Sequence, residues 1–129
     1  MEGKMKKLVF YRCNVCGNIA IKLVDSGVPM VCCGAPMSEI KANTTDAVQE
    51  KHVPVVEVKG NVVKVKIGIV PHPMTEEHFI QFVAMKTNQN VYIKELQPNE
   101  KPECEFALLK NEKVEEVFAY CNLHSLWKA

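Results

Sequence analysis

From Val53 onward the chain alternates apolar and polar residues with the two-residue period of a half-buried strand. In "VPVVEVKGNVVKVKIGIV" two β-branched runs flank Gly60-Asn61, which predicts a hairpin. Val63, Val65, Ile67 and Ile69 fall on one face of the second run, and Lys64 and Lys66 on the other. Further strand-like runs are "HFIQFVAM", "NVYIKEL", "CEFALLK" and "KVEEVFAYC", separated by polar or proline-containing breaks such as "QPNEKPE". Short strands at regular spacing, with no long helical pattern, predict an all-β sandwich.

The pattern before this region is different. Four of the six cysteines fall between Cys13 and Cys33, in a short segment rich in glycine and turn residues and poor in large apolar side chains. Such a segment cannot fold on a core of its own, and a metal staple would supply what is missing. The polar stretch "IKANTTDAVQEKH" reads as a connector. The expected organisation is a small stapled domain over residues 1–40 and a sandwich over 41–129, which suits a chain of 129 residues.

Composition narrows the function classes. The chain is 47% hydrophobic and 24% charged, as soluble globular proteins are. A net charge of +1 argues against a nucleic-acid partner held by a broad basic surface. No apolar run approaches the ~18–20 residues of a membrane span, and the opening "MEGKMKKLVFYRCN" has no signal-peptide core. A cytoplasmic location is expected. There thiols stay reduced, and clustered cysteines more often hold metal than form disulfides.

Cys13-x-x-Cys16-Gly17 has the spacing of a metal knuckle, in which both thiolates point to one side. The second pair, Cys32-Cys33, is adjacent. Neighbours on an extended chain point to opposite sides, so both reach one ion only where the backbone turns sharply, and Gly34 and Pro36 suit such a turn. The expected centre is a distorted tetrahedron of four sulfurs, compatible with zinc or iron. Paired disulfides or scattered core thiols are the bland alternatives.

The chain has four histidines: His52, His72, His78 and His124. His72 lies between two prolines, which stiffen the backbone, and His124 follows Cys121 at the Cys-x-x-His spacing that lets one turn offer both side chains to one ion. Taken singly, each histidine also reads as a surface residue and Cys121 as a buried thiol. Cys104, in "PECEFAL", reads as an inert, inward-facing strand residue.

The stretches "CNVCGNI", "VCCGAPM", "EKHVPV", "HPMTEEHFI" and "YCNLHSLWKA" occur in that order from Cys13 to Trp127. In that combination the chain resembles the desulfoferrodoxins, the two-iron form of superoxide reductase. The resemblance implies a desulforedoxin-like N-terminal domain followed by an immunoglobulin-like antiparallel sandwich. It implies a rubredoxin-like iron on Cys13, Cys16, Cys32 and Cys33. A second iron would have His52, His72, His78 and His124 in its equatorial plane and Cys121 as its axial thiolate.

The implied reaction takes superoxide, one electron and two protons to hydrogen peroxide, with an outside reductant and no release of dioxygen. Lys51 is implied to attract the superoxide anion, and Glu50 to ligate the oxidised iron. A rubredoxin or similar small carrier is the implied donor, and a homodimer the implied assembly. The tail is expected to be a ligand-bearing loop, with Trp127 packing to hold it down. The chain departs from the family at Ser125, where glycine is commoner, and in a few extra N-terminal residues. Two other classes stay open on sequence: an electron carrier using only the four-cysteine iron, and a zinc-stapled interaction module without redox chemistry.

Overall fold

A computed structural model of the chain describes residues 7–45, 49–69 and 72–129, and of residues 49 and 50 the backbone alone. The chain forms two compact units, Met1–Lys41 and Ala42–Ala129. Among the described residues no helix is long and apolar enough to cross a membrane.

Among its described residues the first unit has five short strands: β1 (Phe10–Arg12), β2 (Ile19–Ile21), β3 (Val31–Cys32), β4 (Ala35–Pro36) and β5 (Ser38–Ile40). β1 is the middle strand of an antiparallel β2-β1-β5 sheet, and β3 and β4 form a separate hairpin. Among its described residues only Phe10 and Cys13 are buried, while Val15, Leu23, Val24, Val28 and Val31 are exposed. So little apolar burial cannot offset the entropy of ordering forty residues' worth of chain, about 1 kcal/mol or more for each. A cross-link is needed.

The second unit begins with a single helical turn, α1 (Gln49–His52), and continues through β6 (Pro54–Lys59), β7 (Val62–Ile67), β8 (Ile80–Thr87), β9 (Val91–Glu95), β10 (Glu103–Ala107), β11 (Val114–Cys121) and β12 (Ser125–Lys128). The strands form two antiparallel sheets, β10-β7-β6 and β12-β11-β8-β9. The three-plus-four division, with the chain crossing between sheets after β7, β9 and β10, is that of an immunoglobulin-like sandwich. Val63, Val65 and Ile67 of β7 meet Val83 and Met85 of β8 and Val117 and Ala119 of β11 in the core. The β6–β7 hairpin pairs Lys59 with Val62 around Gly60, whose φ of 59° puts the left-handed residue first, as in a type II′ turn.

Two expectations need correction. Ile69 is exposed and lies beyond β7, because Gly68 leaves the strand at φ 83° and bonds back to Val53 O at 3.1 Å. The tail after Cys121 is more than a loop: Ser125–Lys128 adds strand β12 to the edge of β11. Its four residues are too few to show a period against the preceding polar turn.

Register places the loops at two ends. The β7–β8 connection, the β11–β12 hairpin and α1 lie at one end, because Pro54 pairs with Ile67 and Cys121 pairs with both Ile80 and Ser125. At the other end, about 25 Å away along an eight-residue strand, Glu112 in the β10–β11 connection ties that loop to the β8–β9 turn and to β9. Its buried carboxylate accepts hydrogen bonds from Leu109 N (2.8 Å), Tyr92 OH (2.7 Å), Asn90 Nδ2 (3.0 Å) and the Thr87 hydroxyl. Burial alone would raise its pKa, but these four donors outweigh burial and hold it at about 2, below the ordinary 4.5. A depressed carboxylate stabilises the fold above its unfolded pKa, and that contribution disappears as pH falls from 4.5 towards about 2. Glu112→Gln should therefore lower the urea midpoint at neutral pH, and the gap from the parent protein should close on acidification across that window. A gap independent of pH would show that the carboxylate charge is not what holds the loops.

Two candidate metal centres

In the first unit the knuckle is closed by Cys13 N to Asn18 O (2.9 Å) and Gly17 N to Cys13 O (2.9 Å), with Cys16 N donating to Cys13 Sγ at 3.4 Å. Gly17 takes φ 84°, a conformation glycine adopts without penalty. The adjacent cysteines are reconciled by the β3–β4 turn. Cys32 pairs with Ala35, and Cys33 (φ 53°) and Gly34 (φ 75°) occupy the two central positions of a type I′ hairpin. The left-handed φ of Cys33 itself swings the two sulfurs to the same side. Pro36, expected in the turn, sits in β4 instead.

The four sulfurs lie within 4.8 Å of one another, with Cys16 and Cys32 at 3.6 Å and Cys32 and Cys33 at 4.0 Å. A tetrahedral ion with metal–sulfur bonds of about 2.3 Å requires edges of about 3.8 Å, so the donors fit one. All six cysteines of the chain are free thiols, and these separations are far beyond a disulfide bond of ~2.05 Å. Backbone N–H groups of Cys16 and Val15 lower the Cys13 pKa to about 6, whereas sulfur neighbours, Cys16 first, push Cys33 up to about 12. Four adjacent thiolates oppose one another's ionisation, and a bound cation reverses that opposition. Asn18, unremarkable in sequence, places Nδ2 3.6 Å from Cys32 Sγ.

At the histidine end of the second unit, α1 presents His52 and the β7–β8 connection presents His72 and His78. β11 ends on Cys121, and the hairpin that follows presents His124. The four rings form a square. Adjacent centroids are 4.6 Å (His52–His72), 4.7 Å (His72–His78), 5.1 Å (His78–His124) and 4.9 Å (His124–His52), each pair near perpendicular. His52 and His78 face each other across it at 6.4 Å.

A ring nitrogen from each of His52, His72 and His78 lies within 4.8 Å of the others and of Cys121 Sγ. His124 Nδ1 joins them, 3.1 Å from His52 Nε2 and 3.9 Å from Cys121 Sγ. His72 Nδ1 is 2.6 Å from Pro73 O; a carbonyl only accepts, so Nδ1 carries the proton and Nε2 is left with its lone pair. His72 Nε2 and His78 Nε2 are buried and have no hydrogen-bond partner. Two orphaned buried nitrogens beside a buried thiol fit a metal ion.

Electrostatics agree. Burial, followed by the neighbouring histidines, lowers the His72 pKa to about 4 even though the Pro73 bond opposes it. Burial, His124 and Lys51 lower that of His78. Both rings are neutral at neutral pH, the form that binds metal. Burial raises the Cys121 thiol, partly countered by backbone bonds from Leu123 and His124. Lys51 is half-buried and its charge reaches His78, while the Glu50 side chain lies outside the described residues. Cys104 belongs to neither cluster; it pairs with Val65 in the sheet, and burial pushes its pKa up to about 11.

Trp127 secures two corners of the square. Fully buried, it stacks on His52 at 4.8 Å and donates Nε1–H to His124 O at 3.0 Å. Ser125 closes the hairpin at φ 66°.

Residues 44–129 match the desulfoferrodoxin family, and residues 5–40 match the desulfoferrodoxin N-terminal domain. The chain belongs to the desulfoferrodoxin family. It is 46% identical over 125 residues to the desulfoferrodoxin of Syntrophotalea carbinolica, covering 96% of this chain and 97% of that protein. Among solved structures, the superoxide reductase from Treponema pallidum is similar at a TM-score of 0.81 and 38% identity, covering 96% of this chain and 99% of that one. The superoxide reductase (1Fe-SOR) from Giardia intestinalis is similar at 0.54 and 33%, covering 62% of this chain and 95% of its own.

The hairpin at Ser125 carries backbone strain, since a left-handed conformation costs a non-glycine residue about 1–2 kcal/mol. Ser125→Gly should raise stability by about 0.5–1 kcal/mol in urea denaturation, after the extra freedom of glycine in the unfolded chain is subtracted. Ser125→Val should lower it. A fall with glycine would mean that the serine hydroxyl holds the turn.

Proposed function

We propose that the chain is a superoxide reductase that holds iron in both centres, reducing superoxide to hydrogen peroxide at the second. The convergence of four imidazoles and the Cys121 sulfur on one point carries this reading. Five donors exceed the four of a closed structural zinc site and leave a six-coordinate ion one free position. Iron held there supplies a one-electron couple, tuned by a soft thiolate donor. The overall change is superoxide plus one electron plus two protons to hydrogen peroxide. The O–O bond survives and no dioxygen forms, so an outside reductant provides the electron.

The chain's own residues bind and orient. His52, His72, His78 and His124 would hold the iron through their imidazoles and Cys121 through its sulfur. Lys51 puts a positive charge near the half-buried His78 corner, drawing in an anionic substrate. Glu50, one residue before Lys51, would offer the iron a carboxylate donor in its oxidised state. Residues 1–40, with Cys13, Cys16, Cys32 and Cys33, carry the rubredoxin-like centre, and residues 41–129 carry the reductase. The likeness of 62% of this chain to nearly the whole of a one-iron superoxide reductase supports that division. A rubredoxin-like carrier as donor, a homodimer and a cytoplasmic location complete the proposal.

The iron-loaded protein, given superoxide and a reductant, should form one hydrogen peroxide per superoxide without dioxygen; dioxygen evolution would make it a dismutase and overturn the reading. Cys121→Ser should abolish the second centre's thiolate-to-iron absorption band and most activity, leaving the four-cysteine centre's bands in place, with Cys104→Ser as the silent control. A second-centre band that survives Cys121→Ser would place its sulfur donor elsewhere.

Lys51→Ala tests the charge. Steering of an anion is worth about 10-fold or more in rate and is screened by salt. Pulse radiolysis across a salt series should show a slower second-order reaction and a flatter ionic-strength dependence, with visible spectra nearly unchanged. An identical rate and slope would return Lys51 to the solvated surface.

A further inference from the structure

We propose that Asn122 is a positioning residue for His78, tying that corner of the square to the Cys121–His124 hairpin. The inference rests on reading the second centre as a metal site. His78 is the least anchored of the donors: it is half-exposed, and its Nε2 has no partner. On its N-terminal side the loop is closed by Thr75, whose N donates to His78 O (2.9 Å), while His78 N lies 3.1 Å from Thr75 Oγ1 and 3.2 Å from Thr75 O.

On its other side the sheet itself should hold it, but the ladder fails there. β11 and β8 pair Tyr120 with Phe82 and then Cys121 with Ile80, so a bulge falls at the last step. Beyond Cys121 the main chain must turn towards Ser125 to present His124, and it can no longer run beside residues 77–79.

Asn122 fills that gap. Its backbone N donates to Phe79 O at 3.2 Å, extending the ladder by one bond. Its side chain then takes the place of the departed peptide: Oδ1 accepts from Phe79 N at 3.0 Å, and Nδ2 donates to Glu77 O at 3.0 Å. A primary amide carries the same donor and acceptor as a peptide group, so it can continue a ladder that the backbone has left. The three bonds bracket His78 on both sides and run directly to the neighbour of Cys121. Aspartate keeps only the acceptor, and leucine, of similar size, keeps neither.

The test is cobalt(II) titration of the metal-free full-length protein against a competing chelator, read at the five-coordinate second-centre absorption, with amide hydrogen exchange at Phe79. Asn122→Leu should weaken cobalt binding about 10- to 100-fold, the usual cost of losing a partner that orients a ligand, and should speed Phe79 exchange. Asn122→Asp should weaken binding less and leave Phe79 protected, and it serves should the leucine variant not fold. Combined with His78→Ala, Asn122→Leu should cost nothing more, because the ligand it positions is gone. Unchanged affinity in both Asn122 variants, or an equal loss with and without His78, would overturn the proposal while leaving the metal site standing. Absence of second-centre cobalt in the parent protein would overturn both.

Discussion

His72 Nε2 and His78 Nε2 are sealed from water with nothing to bond, and leaving a buried polar group unpaired costs about 1–3 kcal/mol. Much of the second unit's irregular structure exists to keep these nitrogens where they are. The Pro73 carbonyl fixes the tautomer of one ring. Trp127 lies flat on His52 while its indole N–H pins the backbone of His124. Ser125 accepts a left-handed conformation so that β12 can deliver that indole. None of these is needed by a seven-stranded sandwich. All become intelligible when the converging lone pairs are meant for a cation.

The two units solve the same problem from opposite directions. The first has almost no buried apolar surface and gathers four thiols within a short span of chain, so ligand binding there substitutes for a core. The second has a continuous core of Val, Ile and Met side chains across both sheets, and its donors sit on loops at one end of a finished scaffold. The Glu112 clamp makes the opposite end rigid with hydrogen bonds alone.

Much of this was legible in the sequence. The alternation in "VVKVKI" is a direct record of which face is buried, and β7 follows it up to Ile67. It misleads at Ile69 because a single glycine can end a strand without disturbing the hydrophobic pattern. β12 is not legible because it has four residues, of which the first and last, Ser125 and Lys128, are polar and only partly buried. Cysteine spacing pointed to the first cluster and the Cys121-x-x-His124 spacing to part of the second, whereas the full histidine set followed only from the family resemblance. What spacing cannot carry is three-dimensional complementarity: the cyclic order of the imidazoles, the carbonyl that chooses a tautomer, and the amide of Asn18 beside Cys32 Sγ. Those depend on where backbone groups land after folding.

His52 Nε2 and His124 Nδ1 meet across 72 residues of sequence, whereas Cys16 and Cys32 meet across 16. Each doubling of a closed loop adds only about 0.6 kcal/mol of entropy, so loop length alone separates the two closures by little over 1 kcal/mol. The larger distinction is what each closure encloses. The long one ties α1 to the last hairpin and takes in every strand from β6 to β11, so an ion there acts as a reversible cross-link on the entire sandwich. Mass action then makes resistance to unfolding a function of free metal, with about 2.7 kcal/mol gained at a hundredfold excess over the dissociation constant. Two molecules of one sequence, one loaded and one bare, would melt as if they were different proteins.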